Sequence, residues 1–108
     1  MADGKVRIED KILNAIEVVA AENSITLPPR RNGHNDIEMA LTALDGRRDY
    51  RFVEVRASTD NGKKKLSISS SWPVQKRHLI ERVVALIDKG VGVTAVLEAH
   101  VIKIEYSD

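Results

Sequence analysis

The chain has 108 residues, a net charge of +1, 43% hydrophobic and 31% charged residues, and only 4% aromatics. That length holds one hydrophobic core, so the expectation is a single domain spanning 1–108, and the composition excludes wholesale disorder. Cysteine is absent, which excludes disulfide staples and thiolate metal sites.

No apolar run reaches the roughly 18 residues of a membrane span. The charged stretch from Met1 to Asp10 lacks the apolar core of a signal peptide. A soluble, cytoplasmic protein without membrane contact is expected.

The first element is a helix over Ile8 to Glu22, with Ile8, Ile12, Ile16 and Val19/Val20 at helical spacing. Asn23-Ser24 ends it, and Pro28 pushes its predecessor toward extended geometry. Pro28 to Asn35 reads as a loop from its Pro, Gly and Asn residues. Asp36 to Leu44 fits two patterns. Ile37, Met39, Leu41 and Ala43 alternate as in a strand, whereas Ile37, Leu41 and Leu44 share a helix face. The Asp45-Gly46 turn signal that follows decides for a strand.

Tyr50 to Ala57 reads as the next strand, rich in β-formers. Thr59 to Gly62 is a turn with an Asn-Gly signal, and Lys64 to Ser70 is a third strand. Ser71-Trp72-Pro73 opens a helix that runs to Lys89 and stops at Gly90. Val91 to Tyr106 is one strand or two, with a break near Ala99-His100. The expected fold is α+β: helix, three-stranded antiparallel meander, helix, then one or two C-terminal strands, with the helices packed on one sheet face.

The small net charge hides an uneven distribution. Residues 1–27 carry three basic and five acidic groups, residues 28–82 twelve and seven, and residues 83–108 two and four. The positive middle segment holds Arg30-Arg31, Arg47-Arg48, Lys63-Lys64-Lys65 and Lys76-Arg77. Such clusters suit phosphate contacts. On the expected topology Arg30-Arg31 and Lys63 to Lys65 share one sheet edge, and the start of the second helix at Ser70-Ser71 offers an anion site. With so few aromatics, backbone or shape contacts suit the chain better than base stacking.

His34, His78 and His100 lack ligand spacing, so no metal site and no cofactor is expected. Ser67 to Ser71 have no evident base. They read as capping and strand-surface residues.

The stretch from Arg31 to Leu41, followed by Tyr50-Arg51-Phe52-Val53-Glu54-Val55-Arg56, resembles the core of small PD-(D/E)xK nuclease-superfamily proteins. There an acid-Ile-acid segment and an aromatic-Val-Glu-Val-Lys/Arg segment lie on successive strands. A helix near a Lys/Gln pair follows, and Gln75-Lys76 occupies that place. The resemblance implies Glu38 and Glu54 as Mg²⁺ carboxylates and Arg56 as the cationic partner, with Asp36 and Glu17 as further acids. Arg56 stands where the family has Lys, and Glu38 where it has Asp. Gly62 to Lys89 is also similar to small coactivator-type single-stranded-DNA-binding domains, with a Lys-rich turn, a short strand and a long amphipathic helix.

Three functions follow. The first is a non-enzymatic nucleic-acid-interacting protein using Arg30, Arg31, Arg47, Arg48, Lys63, Lys64, Lys65, Lys76 and Arg77. The second is a protein-interaction module, a homodimer, chaperone-like partner or inhibitor, with the last strand at a sheet edge. The third is a metal-dependent nuclease-like protein using Glu38, Glu54 and Arg56.

Overall fold

A computed structural model describes residues 7–32 and 35–107. Met1 to Val6, Gly33, His34 and Asp108 lie outside the described residues, and with them the expectation for His34 and for most of the charged N-terminal stretch.

The elements in chain order are α1 (Ile8–Glu22), α2 (Asp36–Leu44), β1 (Glu54–Asp60), β2 (Lys63–Ser69), α3 (Arg77–Asp88), β3 (Val93–Glu98) and β4 (Val101–Tyr106). Short 3₁₀ turns at Tyr50–Phe52 and Val74–Lys76 precede β1 and α3. The class is α+β, with α1 in the expected place. The meander is not formed, because 36–44 is a helix and β1 begins only at Glu54.

The reason lies in local chemistry. Ile37, Ala40, Leu41 and Leu44 are buried, the i, i+3, i+4, i+7 stripe of one helix face. Asp36 and Glu38 occupy its first turn, where the helix dipole favours acids. Thr42 Oγ1 donates to the Glu38 carbonyl at 2.6 Å, an i to i−4 bond that only a helix allows. The strand-like alternation of Met39 and Ala43 was incidental: both are only half-buried.

The four strands form one antiparallel sheet in the order β1-β2-β4-β3. β2 and β3 both run antiparallel to β4, so they are parallel to each other, and α3 carries the chain from one to the other. The C-terminal segment is therefore two strands, and the last of them is central. The expectation that it stands at an edge is corrected: β1 and β3 are the edges. β4 reaches the centre because Ile102 and Ile104 are buried to about 1% exposure, a position an edge strand does not provide.

Val55, Leu66, Ile68, Ile102, Ile104 and Val93 share the sheet face that meets α1, α2 and α3 in one core. Complete burial of Ile12, Ile16, Leu41, Ile68 and Ile80 contributes roughly 1.5–3 kcal/mol each. The opposite sheet face is polar, with Glu54, Arg56, Lys103 and Glu105 exposed. The helices thus lie on one face, as expected. α3 starts at Arg77, after a 3₁₀ turn, because Pro73 is extended (ψ 137°). Ser71 therefore caps nothing, and Ser70-Ser71 is not a helix N-terminus. Among the described residues no helix is long and apolar enough to cross a membrane.

Candidate nucleic-acid interface

In register, Glu54 faces Ser69, Ser69 faces Val101 and Val101 faces Glu98. This row ends the sheet on one side. Three segments lie beyond it: 45–53 leading into β1, 70–76 leaving β2, and the two-residue turn Ala99-His100.

The turn ties them together through its carbonyls. The His100 carbonyl accepts from the Ser70 backbone N–H at 3.2 Å and from Trp72 Nε1 at 2.9 Å. The Ala99 carbonyl accepts from Arg77 Nη1 at 2.9 Å. Trp72 thereby satisfies its polar edge while burying its ring.

Asp45 ends α2 with a fully buried side chain, against Arg47 at 25% exposure. Arg47 Nη2 donates to Asp45 Oδ2 at 2.9 Å and to Ser70 Oγ at 2.8 Å. Asp45 Oδ1 and Arg47 Nε are buried without hydrogen-bond partners. Burial pushes the Asp45 carboxyl above its usual range, opposed by the hydrogen bond and charge of Arg47 and by the charge of Lys76. Asp49 behaves oppositely. Its carboxylate accepts from the Arg51 side chain and backbone N–H, which draws it down to about 2.

The same end carries exposed aromatic surface. Phe52 is 63% exposed and Tyr50 39%. The Arg47 guanidinium lies 6.0 Å from the Phe52 ring centroid, at the outer reach of a cation–π contact. Pro28, Met39, Thr42, Ala43, Arg47, Arg48 and Tyr50 line a hollow of about 170 Å³ beside it. Half of the aromatic side chains thus face solvent among arginines. The strand expected from Tyr50 is corrected here, since Tyr50–Phe52 form a 3₁₀ turn and β1 begins at Glu54. The 3₁₀ turn, closed by Asp49 at its start, turns both rings outward.

The nine basic candidates separate. Arg47, Arg48, Lys76 and Arg77 gather at this end. Arg30 is folded onto α1 instead, donating to Glu17 at 2.9 Å, Asn14 at 2.8 Å and Asp10 at 3.1 Å. The Glu17 bond holds its guanidinium above its ordinary value. The Arg31 backbone N–H donates to Asp36. Lys63, Lys64 and Lys65 lie at the β1–β2 hairpin, where Lys65 pairs with Asp60 at 3.4 Å.

At the basic end, Arg77 pairs with Glu81 and Arg51 with Asp49. Arg48 and Lys76 have no salt-bridge partner among the described residues.

The residues singled out by the nuclease resemblance lie apart. Glu38 is on α2 and lines a groove of about 280 Å³ with Asp10, Asp36, Arg30 and Val55. Glu54 stands on the sheet face opposite Val55, paired with Arg56 at 3.1 Å. Glu17 holds Arg30, and Gln75-Lys76 lies in the 3₁₀ turn before α3. Among the described residues no three His, Cys, Asp or Glu side chains are grouped to hold a metal ion. Compared with known protein families, curated proteins and solved structures, the chain matches none.

Proposed function

We propose that this chain is a small non-enzymatic module that binds single-stranded nucleic acid at its 45–53 and 70–77 end. The observation that carries the reading is the exposure of Tyr50 and Phe52 beside Arg47 and Arg48. Phosphates are attracted by Arg48 and Lys76, neither of which is held in a salt bridge among the described residues. The two rings offer platforms on which bases stack, an interaction worth about 1–3 kcal/mol per base. Arg47 is anchored by Asp45 and Ser70, so it presents a fixed planar cation rather than a mobile one. Cysteine-free composition suits a reducing compartment, and the cytoplasm is the compartment proposed.

Anisotropy titrations with labelled single-stranded and duplex oligonucleotides test this. Single strands should bind more tightly, with affinity falling steeply as salt rises. Arg48→Glu and Lys76→Glu should each weaken binding, and Arg48→Ala should reduce the log–log salt slope by about 0.7. Phe52→Ala should cost affinity at every salt concentration. Undetectable binding at low salt would overturn the proposal.

A second reading, self-association, rests on a different observation. The outer edge of β1 makes no hydrogen bond to any other element among the described residues.

A further inference from the structure

Two residues, Asn61 and Gly62, turn β1 into β2 with φ of 52° and 78°, as tight hairpin turns require. In such a hairpin the flanking pair, here Asp60 and Lys63, exchanges both backbone hydrogen bonds. The period of two then fixes the rest. Glu54, Arg56, Ser58 and Asp60 direct their peptide groups at β2. Val55, Ala57 and Thr59 direct theirs outward. The same alternation places Val93, Ala95 and Leu97 on the outer edge of β3, and Asp88 Oδ1 accepts the Ala95 N–H there at 2.9 Å. Among the described residues β1 has no such cover. Ala57 and Thr59 are also exposed on the face that is core elsewhere in the sheet.

We infer that β1 pairs antiparallel with β1 of a second copy of this chain, with Arg56 opposite Asp60 of the other copy. This rests on the self-association reading above and adds the register. Charge selects it. Centring the pairing on Ala57 sets Glu54 against Asp60 twice. Centring it on Arg56 sets that cation against itself. Centring it on Ser58 sets Arg56 against Asp60 twice, and joins Ala57 to Thr59 through their outward peptide groups.

Each Asp60 then lies between Arg56 of the other copy and its own cross-strand neighbour Lys63. On the helix-bearing face, Ala57 and Thr59 cover each other. The two sheets become one sheet of eight strands. The overlap is short, so the dimer is a weak, concentration-dependent one.

Sedimentation across a concentration series tests this, with circular dichroism to confirm folding of each variant. The natural chain should shift from monomer to dimer. Arg56→Glu and Asp60→Lys should each raise the dimer dissociation constant by roughly tenfold or more, because each sets like charges opposite one another. An equimolar mixture of the two variants should regain dimer, since Glu then faces Lys and Arg faces Asp.

Amide exchange gives a measurement that needs no variant: the Val55, Ala57 and Thr59 amides should slow as concentration rises. A dimer with slowed edge amides but no response to either substitution would overturn the register and leave self-association standing. A monomer at millimolar concentration, with edge exchange independent of concentration, would overturn both.

Discussion

The two edges of the sheet are built from similar strands and finished differently. β3 is bordered by α3, buries Val93, and has the Ala95 N–H taken by Asp88. β1 buries none of its seven residues, and among the described residues its outward peptide groups have no partner. An edge strand is a template for another chain unless something blocks it. Here one carboxylate and one helix suffice on the β3 side. The helices reach only as far as Val55 on the β1 side, and the hairpin extends past them.

The largest effect should come from loosening the closed edge. Ile80 on α3 is fully buried, and Ile80→Ala should cost about 3–4 kcal/mol in denaturant unfolding. The open side depends on a polar anchor at the entry to β1. Removing the Asp45 carboxylate strands the Arg47 charge, although Arg47 is a quarter exposed and water relieves part of the loss. Asp45→Ala should therefore cost about 2 kcal/mol, below the range for a fully buried pair. Asp45→Asn should be tolerated better, since it keeps an acceptor for Arg47.

The natural chain and Asp45→Asn should also differ in pH dependence. The folded-state pKa of Asp45 lies above the ordinary 3.8. Its contribution to stability is full below 3.8 and is lost as pH rises through the folded value. Asp45→Asn should therefore gain stability relative to the natural chain as pH rises above 3.8, and unfolding curves across that window would show it.

Asp88→Ala should cost about 1 kcal/mol, the net worth of one hydrogen bond. The more specific readout is faster exchange at the Ala95 amide, which would then behave like the outward amides of β1. Smallest of all, Ala57→Val should change monomer stability by less than about 0.5 kcal/mol. A large loss there would mean that the β1 side is more covered than its exposure implies.

What could be read from the sequence was the periodic and the local. α1 shows its stripe of Ile and Val without competition, and the Asn-Gly turn announces its hairpin. Asp36 to Leu44 could not be settled by pattern, because a nine-residue segment of Ala, Leu and Met satisfies two periods at once. Its helix depends on packing against α1 and on the Thr42 to Glu38 bond. The basic clusters could be counted, but not their partners. Arg30 is bound by residues 13 and 20 positions away in the chain, and such pairings follow from tertiary structure. Phe52 was the costliest miss. A single 3₁₀ turn separates a ring inside a sheet from a ring in water, and the Asp49 to Arg51 N–H bond that forms it was the one local sign.

β4 is the fourth strand to be made and the one that joins the others. Until Val101–Tyr106 has left the ribosome, the β1–β2 hairpin and β3 share no partner, and α3 has only half a sheet to lie on. The strand that closes the sheet also fixes the turn whose carbonyls hold Ser70, Trp72 and Arg77. The sheet is therefore continuous only with this strand in place. Without it the β1–β2 hairpin and β3 would present two unpaired edges, along Leu66 and Ile68 on one side and along Val96 on the other, each a template for another strand.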